Sequence, residues 1–483
     1  MYDEENTFEQ SEHIYFPPKR IHPADTLFSF IKTIKDTIVG LGIGALALIR
    51  QSPNLALLFI GAFLLILLIT SFFSWLRHTY RVEDGELRVE KGIFIRKKSY
   101  ISINRIHKID FTANVLHRIL KLVQVNVDTA AGGSGVTLTA LKLQDAEQLR
   151  DALKQVQPDA EIEEADEEKE QNPVRTISWK HLIVAGMTSG SAGFLMLGAL
   201  VLFSQIQQFI PDSAYKQAVD FVIQFSIVFL VVVFFVALIL LWLIGTLGTV
   251  IKFGNFSIEK RPEELFVKRG LLETKELTIP YDRIQSIEIE QSILRKPLKL
   301  CRVIAVTAGS GSSVREANPV IFPLLPYKDV EPFLKEFVPE YADIDHTLIP
   351  LNKKGLKYYM LIHSIIFIVA FIPIVYFFPT FSWIPALLIV IGLLFGRMKF
   401  KETGYLIDDK RIITSYWNKL TKCQTIIFKK RVQVYEKHQH KLQQVEQLAT
   451  ADFAMIGLGA QVTLKHLADE DANIIADWYS RRN

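Results

Sequence analysis

The chain has 483 residues, of which 49% are apolar and 22% charged, and its formal net charge is +4. That much apolar content, gathered in blocks, excludes an ordinary soluble protein. The net charge is too mild to suggest a nucleic-acid binder.

Residues 1–26 read as a polar, partly acidic lead. It lacks a charged start followed by a short apolar core, so no cleavable signal peptide is expected. Pro17, Pro18 and Pro23 discourage helix before Asp25, which reads as an N-cap. Two apolar stretches follow, Phe28–Ile49 and Leu55–Trp75, turning at Gln51-Ser52-Pro53. Their length and apolarity predict membrane-spanning helices. Lys32, Lys35 and Asp36 make the first the less apolar of the two.

Tyr80, Val82, Leu87 and Val89 alternate with polar residues around Glu83-Asp84-Gly85, which predicts a β-hairpin. Val123, Val125 and Val127 predict another strand, Gly132–Gly135 a loop, and Val136–Thr139 a further strand. The period then changes. Leu141, Leu149 and Leu153, with Asp145 as N-cap, predict a short amphipathic helix.

Glu161–Glu170 is an acidic run, most simply a solvated linker and otherwise a docking segment for a basic partner. A second pair of spans is expected at His181–Gln205 and Val219–Ile251, and a third at Tyr358–Phe378 and Phe381–Arg397. The third span carries Gly186-Met-Thr-Ser-Gly190, which allows close helix approach. The fifth holds Pro373 and one histidine, His363, with no acidic partner evident in the spans. Lysines and arginines gather at the ends of the pairs and avoid the turns within them. The termini and the segments between pairs are therefore expected on the cytoplasmic side. Cys301 and Cys423 then read as small buried residues and not as a disulfide.

These segments repeat. Anchored on Arg105 and Arg283, a glycine lies thirteen residues before (Gly92, Gly270) and isoleucine one and four after (Ile106, Ile284; Ile109, Ile287). Leucine follows at eleven (Leu116, Leu294) and a cation at thirteen (Arg118, Lys296). Thr129-Ala130 and Thr307-Ala308 close the unit. A worn third copy is anchored on Arg431, with Asn418 where the others have glycine. Asn tolerates positive φ, so that position is expected to end a tight turn in all three copies. The strand-then-helix ending repeats as well: Asp145, Asp329 and Asp471 are the expected caps, and Leu149, Phe333 and Ile475 the buried face. Each unit is several strands closed by one helix, as in a small capped antiparallel barrel.

Tyr281-Asp-Arg-Ile-Gln-Ser-Ile-Glu288, followed by Leu294 and Val303–Gly309, resembles the bacterial pleckstrin-homology domain of the second type. Tyr405–Ile412 resembles its opening strand and turn. Two spans before each of three such domains is similar to the YdbT group of Gram-positive membrane proteins. The resemblance implies a seven-stranded bent sheet with a capping helix, no catalysis and no cofactor. It implies a complex with a shorter one-domain membrane partner like YdbS, and protection against bacteriocins or other membrane-active peptides. The resulting division is 1–26 lead, 27–77 spans, 78–158 first PH-like domain, 159–178 acidic linker, 179–253 spans, 254–343 second domain, 344–402 spans and 403–483 third domain. The fold class is thus an α+β membrane protein with six transmembrane helices in three pairs, each pair followed by a cytoplasmic PH-like barrel or sandwich.

The residues themselves show no P-loop, G-x-S-x-G, H-E-x-x-H or paired C-x-x-C. His438 and His440 can face one way on a strand but lack a third ligand nearby, so no metal is expected. The candidate binding residues are Arg105, Arg283 and Arg431, with Arg118 and Lys296. They read either as contacts to a lipid phosphate or a partner, or as structural ties between loops. A peptide or lipid transporter is the alternative function, opposed by spans that lack inward charges.

Overall fold

The computed structural model describes residues 16–49, 52–92, 95–103, 106–129, 135–155, 173–190, 198, 204, 217, 220–221, 227–308, 318–343, 347–377, 379–457 and 460–480. Arg105, Ala130, Gly132–Ser134, the acidic run and most of the third expected span lie outside them.

Asp84 and Gly85 both take positive φ, 55° and 68°, as a two-residue hairpin turn requires. They join β2 (Thr79–Glu83) to β3 (Glu86–Lys91), and β4 (Lys97–Ser102) pairs next. The fourth strand of this sheet is β1 (Phe16–Arg20), inside the stretch read as a polar, partly acidic lead. It precedes helices α1 (Asp25–Ile49) and α2 (Pro53–Leu76), while its partner β2 follows them. Both ends of the helix pair are therefore held together by one ladder.

The second half of the unit is β5 (Ile106–Ala113), a one-turn helix α3 (Val115–Ile119), β6 (Leu122–Thr129) and β7 (Val136–Lys142). Helix α4 (Leu143–Gln155) closes it. Val82, Leu87, Val125, Leu138 and Leu149 are fully buried in one core.

The plan recurs. In the second unit β8 (Val174–Thr176) precedes α5 (Trp179–Met187) and α6 (Ile227–Phe253), and pairs with β9 (Ser257–Lys260) beyond them. Then come β10 (Glu264–Arg269), β11 (Thr274–Pro280), β12 (Ile284–Ser292), β13 (Leu300–Thr307), β14 (Val320–Pro326) and α7 (Val330–Phe337). The third unit has β15 (Ile349–Pro350) before α8 (Leu356–Phe377) and α9 (Trp383–Glu402). It continues with β16 (Gly404–Ile407), β17 (Arg411–Asn418), β18 (Thr421–Phe428) and β19 (Val432–His438). It ends with α10 (Lys441–Glu446), β20 (Leu448–Met455), β21 (Gln461–Ala468) and α11 (Asp469–Ser480).

Each unit thus has seven described strands and a closing helix. They do not form seven-stranded sheets within units. The late strands of one unit join the early strands of the next, giving sheet orders β7-β6-β5-β11-β10-β9-β8 and β14-β13-β12-β18-β17-β16-β15. Four strands, β1–β4, are left at one end and three, β19–β21, at the other. The cores follow the sheets: Ile413 and Ile426 of the third unit pack with the second, and Val306 of the second packs with the third.

Four described helices are long and apolar enough to cross a membrane: Pro53–Leu76, Val231–Phe253, Lys353–Phe377 and Pro379–Glu402. Helix α1 forms over 25 residues but is not among them, in keeping with Lys32, Lys35 and Asp36 on it. Small residues set the helix contacts. A Cβ on Gly186 would lie 2.8 Å from the Thr246 side chain, so this glycine packs inside the chain against α6. A Cβ on Gly190 would meet nothing within 4 Å among the described residues. Gly392 and Gly396, the same spacing on α9, bring it against His363 and Tyr359 of α8.

Two capping expectations are corrected. Helix α4 starts at Leu143, so Asp145 lies in its first turn, where it pairs with Lys19 at 2.7 Å. Asp471 likewise lies in the first turn of α11; Asp329 stands at the cap of α7 without a side-chain cap bond. Gly92 and Gly270 do take positive φ, 115° and 112°, but in the third copy Lys419 takes it (53°) and Asn418 stays in its strand. A two-residue turn, Lys419-Leu420, replaces the longer ones.

Candidate functional site: apolar tips and inter-unit junctions

The segment between the fifth and sixth strands of each unit forms a tip. It comprises α3, residues 293–298, and α10. Each tip ends on a non-glycine residue in the left-handed region: Lys121, Lys299 and Gln447.

One position in the tip carries a buried polar side chain in every unit, twelve residues after the repeat's arginine: His117, Arg295 and Gln443. Buried polar groups must be satisfied, and these join strands to helix bases. His117 Nε2 lies 2.7 Å from the Thr139 carbonyl, and its ring stacks on Phe28 of α1 at 4.0 Å. Arg295 donates to Thr188 Oγ1 (3.0 Å) and to the carbonyls of Ala185 (3.1 Å) and Pro323 (3.4 Å). Burial, and then the nearby Arg302, hold its guanidinium down at about 10. Gln443 Nε2 donates to Thr450 Oγ1 (3.0 Å) and meets His466 Nδ1 at 3.3 Å. His466 in turn stacks on Tyr358 of α8. The neighbours at eleven and thirteen are alike in the first two copies and stand out in the sequence; three unlike residue types hide the position between them.

Around each buried polar group the tip is apolar and exposed: Ile119 71%, Leu294 55% and Val445 81%. Apolar residues displayed beside helix bases, with cations next to them, suit the headgroup zone of a bilayer.

The units are joined in one register. Thr274, Lys275 and Glu276 of β11 pair with Ala113, Thr112 and Phe111 of β5. The repeat-equivalent residues Lys422, Cys423 and Gln424 of β18 pair with Gln291, Glu290 and Ile289 of β12. An acidic residue recurs at each junction. Asp110 accepts from the Thr278 backbone N–H at 3.4 Å; burial lowers the Arg269 guanidinium from its ordinary value, and the nearby Asp110 opposes that shift. Glu288 accepts from Tyr416 Oη at 3.4 Å. Burial raises its carboxyl above the usual range, and Glu290 adds to this. The third copy has Glu436 at this position.

The residues singled out from sequence separate into these two settings. Arg118 donates to the Leu271 carbonyl of the next unit at 3.0 Å. Lys296 pairs with Glu402 and lies over the Trp417 ring, again in the next unit. Both are ties between units. Arg283 lies 3.4 Å from Asp282, and its carbonyl accepts from Ala308 N. Arg431 interacts with Tyr341, whose hydroxyl bonds to the Ile284 carbonyl. Arg105 is outside the described residues. His438 and His440 are not brought together: His438 meets Glu436 and Asp452, and His440 caps α10 beyond the end of β19.

Glu288, Glu290 and Cys423 hold ligand-type atoms within 4.8 Å of one another. Burial and then Glu288 push the Cys423 thiol far up, and Glu290 is bonded to Arg302, so the cluster reads as a hydrogen-bonded seam. Cys301, with its thiol pushed up to about 12 by burial, donates to the Leu325 carbonyl. Both cysteines are free and buried.

A family model described as a bacterial PH domain matches residues 30–157, 218–337 and 364–483, each range taking in helix-pair residues and a β-unit. The chain is similar to the UPF0699 transmembrane protein YdbT of Bacillus subtilis (strain 168), at 30% identity over 486 residues, covering 96% of this chain and 98% of that protein. No solved structure matches.

Proposed function

Since the chain belongs to the bacterial PH domain family, we propose that it is a non-enzymatic membrane scaffold whose three β-units form one rigid array on the cytoplasmic face. The observation that carries this reading is sheet sharing: consecutive units are fused through β5·β11 and β12·β18. Such an array has little freedom for an alternating-access cycle and presents a large, fixed surface. Six transmembrane helices in three pairs anchor it. The lead-strand ladders, which bring both ends of each pair together, support one shared side for the units. Cations such as Arg77, Lys252, Lys353 and Arg397 near the unit ends support the cytoplasmic side. Exposed apolar tips with Lys121, Lys299 and Lys441 support lying against anionic lipid, at about 1 kcal/mol per cation.

The family resemblance supports a smaller one-domain membrane partner and a part in resisting membrane-active peptides. Deleting the protein is expected to raise sensitivity to a membrane-active bacteriocin. Unchanged killing curves across a peptide panel, with the partner also deleted, would overturn this. Peptide efflux driven by an ion gradient would establish transport instead.

A further inference from the structure

Two strand edges at the ends of the array are complementary. β4 pairs with β3 and has no second neighbour among the described strands, whereas its counterparts β11 and β18 are paired on both sides. At the other end β19 pairs with β20 and no second strand among those described, whereas its counterparts β5 and β12 are paired on both sides. The two internal junctions show what each edge accepts. A third-unit β19 is built to receive a β4-type strand, and a first-unit β4 to receive a β5-type strand.

The register carries over residue by residue. The internal pairings Thr425↔Glu288 and Ile426↔Ile287 translate to Ser99 opposite Glu436 and Tyr100 opposite Tyr435. Ile426 is buried at its junction, while Tyr100 is 58% exposed at its edge. The recurring acid completes the match. Asp110 lies near enough to Arg269 at the first junction to act on its charge; the residue equivalent to Arg269 in the first unit is Lys91. Lys91 and Lys97 stand close enough to repel one another. Glu436, exposed on the other edge, is the acid placed to neutralise them.

We propose that β4 of one copy pairs antiparallel with β19 of a second copy, in the register of the internal junctions, so that copies join head to tail along the membrane. Exposed edges template further pairing unless blocked. A heterologous contact of this kind repeats, closing into a ring or running on as an open arc. The proposal rests on the scaffold reading only for the shared side of the units. The two fail separately, because protection is read from killing curves and pairing from cross-links.

The test uses the full chain in membranes, with two differently tagged copies. One copy carries Ser99→Cys and the other Glu436→Cys; a second combination, Lys97→Cys with His438→Cys, leaves Glu436 intact. Mild oxidation or a short thiol cross-linker should give a dimer bearing both tags in both combinations. Ser99→Cys with Lys437→Cys shifts the register by one and should give at least ~10-fold less, since a one-residue slip turns the side chains to opposite faces. Thr112→Cys/Lys275→Cys, a pair already opposed within one chain, is the positive control. If that control closes and neither combination yields the mixed dimer, the lysines of β4 block the edge and the proposal falls. It falls equally if a chain carrying both Ser99→Cys and Glu436→Cys links only within itself. Capture of a different membrane protein at Ser99→Cys in place of the second copy overturns it too.

Discussion

Arg295 Nε donates to Thr188 Oγ1 at 3.0 Å across 107 residues of sequence, joining the tip of the second unit to the base of its own helix pair. The same guanidinium reaches Ala185 of α5 and Pro323 of β14, so one side chain fixes the angle at which the helices leave the sheet.

Arg295→Met fills the same space without the donors. It is expected to destabilise the second unit by about 1.5–3 kcal/mol, the range for hydrogen bonds to a charged group. Hydrogen exchange should quicken in Trp179–Met187 and Val320–Pro326 before it does elsewhere.

A methyl group at Gly270 would stand 1.9 Å from the Glu273 carbonyl oxygen, on a backbone at φ 112°. Gly270→Ala should therefore cost about 1–3 kcal/mol. Asn418→Gly should cost no more than the entropy of a glycine in a strand, since Lys419 holds the left-handed conformation there. Thermal melts of the two variants in detergent separate these outcomes.

Gly396→Leu is aimed at the third helix pair, where a Cβ would lie 2.5 Å from the Tyr359 carbonyl oxygen. Parting α8 from α9 is expected to cost about 1–3 kcal/mol. It should also abolish disulfide closure between cysteines placed on the facing sides of the two helices.

His466 is held down at about 4 by burial first, with His440 and Lys465 adding to the effect. The fold therefore favours its neutral form. The unfolded chain takes up a proton near the ordinary value of 6.5, and the folded chain only near 4. Stability that is fully present above about pH 6.5 is lost as pH falls through this window and levels off below it. The third unit should melt lower at pH 5 than at pH 7.5. His466→Asn, tolerant of the left-handed backbone at φ 60°, should flatten that slope even if it lowers the melting point overall.

Local chemistry made much of the fold readable. Asp84-Gly85 announced its hairpin, alternating valines announced β6, and unbroken apolar runs announced the long helices. The lead strands were hidden because each is short and lies a whole helix pair away from its partner, as Ile349-Pro350 does from Gly404-Tyr405. Sheet sharing was hidden because β5 and β11 carry no signal that distinguishes pairing within a unit from pairing between units. The recurring cation at Arg118 and Lys296 was visible, but its target was not: Leu271 offers only a backbone carbonyl. At the buried tip position, imidazole, guanidinium and amide perform one task, which identity-based comparison of the copies passes over.

The lead strands also impose an order on biosynthesis. A ribosome releases β1 before either helix of the first pair and β2 only after both, and the same holds for β8 with β9 and β15 with β16. No unit can close its first sheet until the segment between its two ladder strands has been made. Completion of each ladder thus requires the chain to come back to its lead strand, and until it does the next unit has no finished sheet to build against.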